Sequence, residues 1–147
     1  MKLVPVFGEH TINELTLMFS DQQINLEPGF QRKSVWTLTD RRRLIQSIVA
    51  GYPLPSVFLY KRDHQGGLIY QVIDGKQRLE TIFMFTGLGR FKRDEFDTKL
   101  DLGEGLDWWD WRGICKYQSE IAAAIRSYKI QTVEVTGDLS DIIRACI

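Results

Sequence analysis

The stretch YQVIDGKQRLETIFMF, residues 70–85, changes its period halfway along. Tyr70 to Ile73 have the β-prone, apolar composition of a buried strand, whereas Leu79, Ile82, Phe83 and Phe85 recur at the spacing of one helix face. Between them lies Asp74-Gly75-Lys76-Gln77-Arg78, a very polar turn. A helix start leaves backbone N–H groups unpaired and carries partial positive charge, so it accepts anions. Gly75 permits a positive φ or a close backbone approach. Lys76 and Arg78 add charge, and an arginine can grip a phosphate through two parallel hydrogen bonds. Gln77 can reach a sugar or a base edge. Asp74 suits three roles: capping the helix, orienting a water, or holding a divalent cation. A capped helix with solvated cations fits the same five residues, and local spacing leaves both readings open.

Working outward, SVFLYKR (56–62) and LIYQVI (68–73) read as adjacent strands around Asp63-His64-Gln65-Gly66-Gly67, most simply a hairpin. Upstream, TLTDRRRLIQSIVAGYP (37–53) is the clearest helix. A threonine caps it, Leu44, Ile45, Ile48 and Val49 form its stripe, and Gly51 and Pro53 stop it. Arg41, Arg42 and Arg43 stand near its start, the end where the helix dipole disfavours cations. By default they are a solvated face. TINELTLMFS (11–20) opens with a Thr11/Glu14 capping box and reads as a short helix, followed by a brief strand at Ile24–Leu26 and a loop at Pro28-Gly29. In that loop FQRKSVW (30–36) pins Gln31, Arg32 and Lys33 between Phe30 and Trp36, as a binding element or as a plain connector.

Downstream, residues 88–113 are Gly-, Asp- and Trp-rich and poorly periodic, a loop-rich excursion with room for one more hairpin. Trp108, Trp109 and Trp111 could stack a base or sugar, but such clusters more often pack a loop onto its domain. KYQSEIAAAIRSY (116–128) returns to helix, KIQTVEV (129–135) alternates like a strand, and LSDIIRACI (139–147) begins another helix. The order predicts one small mixed α+β domain over residues 1–147. The uncapped end at SDIIRACI reads as a cut helix, so a longer parent chain is expected.

The bulk numbers narrow the function. Lys+Arg 19 balances Asp+Glu 19, which argues against strong non-specific DNA binding by this chain alone. Cys115 and Cys146 fit no metal-ligand spacing, and no apolar run could span a bilayer, so a cytoplasmic protein is expected. His10 and His64 are isolated in sequence, and no catalytic triad is visible.

Taken together, FQRKSVWTLTDRRRLIQSIVAGYPLPSVFLY (30–60) and YQVIDGKQRLETIFMFTG (70–87) resemble the N-terminal domain family of GmrSD-type, modification-dependent restriction systems. That family also includes the nucleotide-hydrolysing domain of anti-phage proteins that sense phosphorothioate DNA. Its pattern runs aromatic-Gln-Arg, an aromatic before a helix, Leu-Ile-x-Ser-Ile, Gly-x-Pro-x-Pro, then Asp-Gly-Gln-Gln-Arg; here Lys76 replaces the usual first glutamine. The resemblance implies a ParB/sulfiredoxin-like fold, a small mixed sheet with flanking helices. It implies a nucleoside triphosphate, with Mg²⁺, as cofactor. Gln31, Arg32, Arg42, Gly75, Lys76, Gln77 and Arg78 would bind the nucleotide, Asp74 and Arg78 would act in catalysis, and Asp74 would hold the metal. DNA and a nuclease or effector domain would be partners of the full-length protein. Relatives carry a later Arg-x-Asn element and often an HNH nuclease domain; neither occurs in these residues, so no DNA cleavage is assigned to this chain. A ParB-type DNA-binding module without catalysis is the alternative.

Overall fold

A computed structural model describes residues 4–26, 36–64 and 67–137. Seven strands form: β1 (Val4–Thr11), β2 (Ile24–Asn25), β3 (Val57–His64), β4 (Gly67–Asp74), β5 (Thr98–Asp101), β6 (Leu106–Trp109) and β7 (Lys129–Thr136). Five α-helices accompany them: α1 (Ile12–Ser20), α2 (Leu38–Ala50), α3 (Lys76–Phe85), α4 (Trp111–Tyr117) and α5 (Ser119–Arg126). The mixed α+β class expected from the sequence is the observed one.

The main sheet has the order β1-β7-β3-β4-β2. β3 and β4 pair antiparallel, with a register shift between Phe58 and Leu59, while β3–β7 and β2–β4 are parallel. Alternation along β4 sends Val72 into the main core, while Ile73 joins Tyr60, Val133 and Val135 on the other face. The main core lies under the helices: Leu15, Leu59, Val72, Leu79, Phe83 and Ile114 are fully buried. Phe19 stacks on Phe83 at 4.3 Å between ring centroids, tying α1 to α3.

Three features depart from the sequence reading. β1 was not expected, because its apolar residues are exposed on an edge strand; its pairing to β7 from Val4↔Thr136 to Thr11↔Lys129 is what defines it. The excursion at 88–113 contains the one hairpin expected there, β5–β6, but is more regular than expected, adding a 3₁₀ turn at Gly89–Asp94 and the first residues of α4. The helix expected over 116–128 begins earlier, at Trp111 under an Asp110 cap, and breaks at Gln118 into α4 and α5. The helix expected over 139–147 lies outside the described residues. No helix among them is long and apolar enough to cross a membrane.

Helix starts follow the sequence closely. Thr11 with Glu14, and Thr37 with Asp40, form reciprocal capping boxes. The backbone N–H and then the hydroxyl of Thr37 hold Asp40 below the usual carboxylate range. Glu14 is lowered first by its hydrogen bond to His10, then by Thr11. Carboxylates with depressed folded values stabilise above their unfolded values of about 4 and lose that contribution as pH falls through the folded values. The urea midpoint should therefore drop between about pH 5 and about pH 3, with a shallower drop in the Glu14→Gln/Asp40→Asn double variant.

Candidate functional site

The polar turn sits where β4 runs directly into α3. Gly75 is the N-cap, with φ 98 and ψ 12, in the left-handed region that favours glycine. A Cβ there would meet Val57 Cγ2 at 2.9 Å and Val57 Cα at 3.3 Å, so the turn lies flat on the start of β3. No side chain caps α3. Asp74 is therefore not the cap, which removes one of its three expected roles.

Arg78 crosses beneath the turn. Its Nη2 donates to the Ser56 carbonyl at 2.9 Å and lies 3.9 Å from Asp74 Oδ2. Its Nε is buried with no hydrogen-bond partner. Burial pulls its pKa down, and Asp74 offsets this only in part because that carboxylate is 72% exposed. The chemistry is that of a buried cation short of an acceptor. Lys76 is half-buried and makes no ion pair or hydrogen bond among the described residues.

Gln77 accepts the Trp36 backbone N–H on Oε1 at 2.7 Å. That bond fastens Trp36, just before the Thr37 cap of α2, beside the start of α3. Gln31 and Arg32 themselves lie outside the described residues. Asp74, Gly75, Lys76, Gln77 and Arg78 thus share one corner. Arg42 has other partners: its Nε donates to the Asp97 carbonyl at 2.9 Å, Nη2 pairs with Asp97 Oδ1 at 3.1 Å, and its guanidinium lies 4.8 Å from the centre of the Trp108 ring.

The arginine run holds a residue that sequence reasoning missed. Arg41 is not a solvated side chain; it is 7% exposed. Its Nη1 donates to Thr81 Oγ1 at 2.7 Å and to the Gln77 carbonyl at 3.5 Å, and its Nη2 pairs with Glu80 at 3.2 Å. It clamps α2 to the first turns of α3. The signal was present in the sequence: positions 41, 44, 45 and 48 share one helix face, so Arg41 extends the buried stripe.

Other expectations fall as follows. Trp109 and Trp111 pack against the core, as a loop-anchoring cluster should, while Trp108 is half exposed. His10 is not isolated, lying 3.3 Å from Glu14 and 3.6 Å from Glu134. Cys115 gains a basic neighbour through the fold, accepting from Arg126 Nη2 at 3.5 Å. Among the described residues no group of three His, Cys, Asp or Glu could hold a metal ion.

The family model of the GmrSD restriction endonuclease N-terminal domain matches residues 13–144, nearly the whole chain. This chain belongs to that family. No curated protein and no solved structure matches it. The matched span takes in every element from α1 to β7, so the polar corner of this GmrSD N-terminal domain lies inside the shared unit.

Two substitutions test the framework of the corner. Gly75→Ala should cost about 2–4 kcal/mol, from the left-handed φ and the contact with Val57, read as a fall in urea midpoint. Arg41→Ala should cost about 3 kcal/mol or more because Glu80 is left largely buried without its partner. Adding Glu80→Gln should recover part of that loss, which a double-mutant cycle would measure.

Proposed function

We propose that this domain binds a nucleoside triphosphate at the Gly75 turn and hydrolyses it, as the regulatory module of a restriction or anti-phage defence protein. One observation carries the reading: a helix start without a side-chain cap, lying against a buried arginine whose Nε has no partner. Phosphate oxygens are the acceptors such a corner lacks. Backbone N–H groups at the start of α3 would receive them, and the helix dipole would favour their charge. Lys76 and Arg78 would stabilise charge spreading over the transferred phosphoryl group, joined by Arg32, four residues before the Trp36 that Gln77 holds. Gln31 and Gln77 would contact the sugar or base. Arg42 would join only by giving up Asp97.

In hydrolysis, water attacks the γ-phosphorus and the bond to the β–γ bridging oxygen breaks, leaving a nucleoside diphosphate and inorganic phosphate. Asp74 would orient that water or contribute one ligand to Mg²⁺. A magnesium ion that takes most of its ligands from phosphates and waters needs only one or two carboxylates, so a lone exposed aspartate beside the helix start is compatible with it. When bound, Mg²⁺ would neutralise charge between the β- and γ-phosphates. The effector, DNA and any modified base belong to the full-length protein in this reading. The domain itself would be a cytoplasmic switch element.

The test is calorimetric titration of nucleoside triphosphate with Mg²⁺ into wild type and Arg78→Ala. Loss of one charged, partly buried contact predicts about 10- to 100-fold weaker binding by the variant. Equal binding by both, or none by either, sinks the assignment. DNA affinity that falls steeply with salt and ignores nucleotide would instead mark a DNA-binding module.

A further inference from the structure

The main sheet has two faces, and the described helices cover one. The buried apolar residues of α1 to α5 all belong to the main core on that side. On the other face Val133 and Val135 of β7 cluster with Tyr60 and Ile73, and among the described residues every member of this cluster stands on the sheet itself. Residues directly opposite in a ladder share a face, so Phe7 and Phe58, on either side of Val133, extend the same surface. Phe7 is 77% exposed and Phe58 40%, yet Val133 and Val135 keep only 5% and 8% of their surface. Valines on a bare sheet face would keep more contact with water, which points to a cover lying over β7.

The chain itself supplies a matching segment. β7 ends at Thr136, and Gly137 follows at φ 141, a backbone conformation that side-chain-bearing residues rarely adopt. The Tyr60 hydroxyl donates to the Gly137 carbonyl at 3.3 Å, which holds the chain to the valine face just where the strand stops. Residues 138–147 come next. In them Leu139, Ile142, Ile143, Cys146 and Ile147 recur at i, i+3, i+4, i+7 and i+8, one helical stripe, with Ser140, Asp141 and Arg144 on the opposite side. Asp138, immediately before, is a residue type that caps helices well. Nine helical residues span about 13 Å, the length of about four strand residues, which matches the run from Val135 back past Val133. The family match extends to residue 144, so most of this segment belongs to the shared unit.

We propose that this face is the docking surface for the chain's own residues 139–147. The segment would turn back at Gly137 and lie as an amphipathic helix antiparallel to β7, its stripe on Val133, Val135, Tyr60 and Phe58. β3 and β7 run parallel, and Phe58 is paired with Asp74, so the segment would run toward the strand end that carries Asp74. The sheet would then lie between two helix layers. The proposal stands on the sheet face and the segment alone and does not need a nucleotide at Gly75.

Disulfide trapping in the 147-residue chain tests it, with Cys115→Ser leaving Cys146 as the one native thiol. A bridge requires Cα atoms within about 7 Å. Phe58→Cys and Phe7→Cys, made separately at part-exposed positions that the fold tolerates, sit on the proposed face; Leu17→Cys, exposed on α1, sits on the helix side. Under mild oxidation Cys146 should form an intramolecular bridge to position 58 or position 7, and none to position 17. Adding Ile142→Asp, which would bury a carboxylate, should slow bridging about tenfold or more, whereas Arg144→Ala on the outer side should leave the rate unchanged. No bridge at either face position, equal bridging at position 17, or bridging indifferent to Ile142→Asp overturns the proposal. A bridge that forms only between two molecules also overturns it and assigns the face to a second copy of the chain.

Discussion

The contact of Gly75 with Val57 is the constraint on which the corner depends. With nothing but hydrogen at that position, the β4–α3 turn lies on the backbone of β3, closer than any side chain would allow. Arg78 then reaches the Ser56 carbonyl at the entrance to β3, and the two strands and the helix are locked at one point. Everything polar in the corner is positioned from that join. The positive φ is one that ordinary side chains rarely adopt, and the arginine beneath it is largely buried. The same geometry that makes the turn rigid therefore leaves Arg78 short of acceptors.

A second lock holds the helix from the other side. Arg41 on α2 bonds the Gln77 carbonyl, Thr81 and Glu80, while the Gln77 side chain takes the Trp36 N–H. A single buried guanidinium thus ties α2 to the first turns of α3, and Gln77 ties Trp36 to the same place. The ion pair is buried, so losing one partner is costly, although well-packed apolar residues could match the pair's net stability. The arginine run divides its labour accordingly: Arg41 organises the corner, and Arg42 fastens α2 to Asp97 and Trp108 on the far side. The tryptophan-rich stretch is consequently a packed extension of the helix layer, with Trp109 and Trp111 on the core.

The strand–turn–helix at 70–85, the capping boxes at Thr11 and Thr37, and the stripe of α2 were all legible from residue order. Each is a local pattern whose partners lie within a few positions, so periodicity and cap chemistry suffice to find it. The five residues of the turn were legible as a group for the same reason, being consecutive. Tertiary structure alone decided the rest. β1 exists because β7, over a hundred residues later, supplies its hydrogen bonds, and nothing in VPVFGEHT announces that partner. Residue order puts Arg41 on the buried face of α2, but its partners Glu80 and Thr81, some forty residues away, come only with the tertiary structure, and which carbonyl Arg78 binds was decided by where β3 begins. Burial of a charge requires a partner brought from a distance, and residue order cannot reveal where a distant segment lies until the sheet has formed.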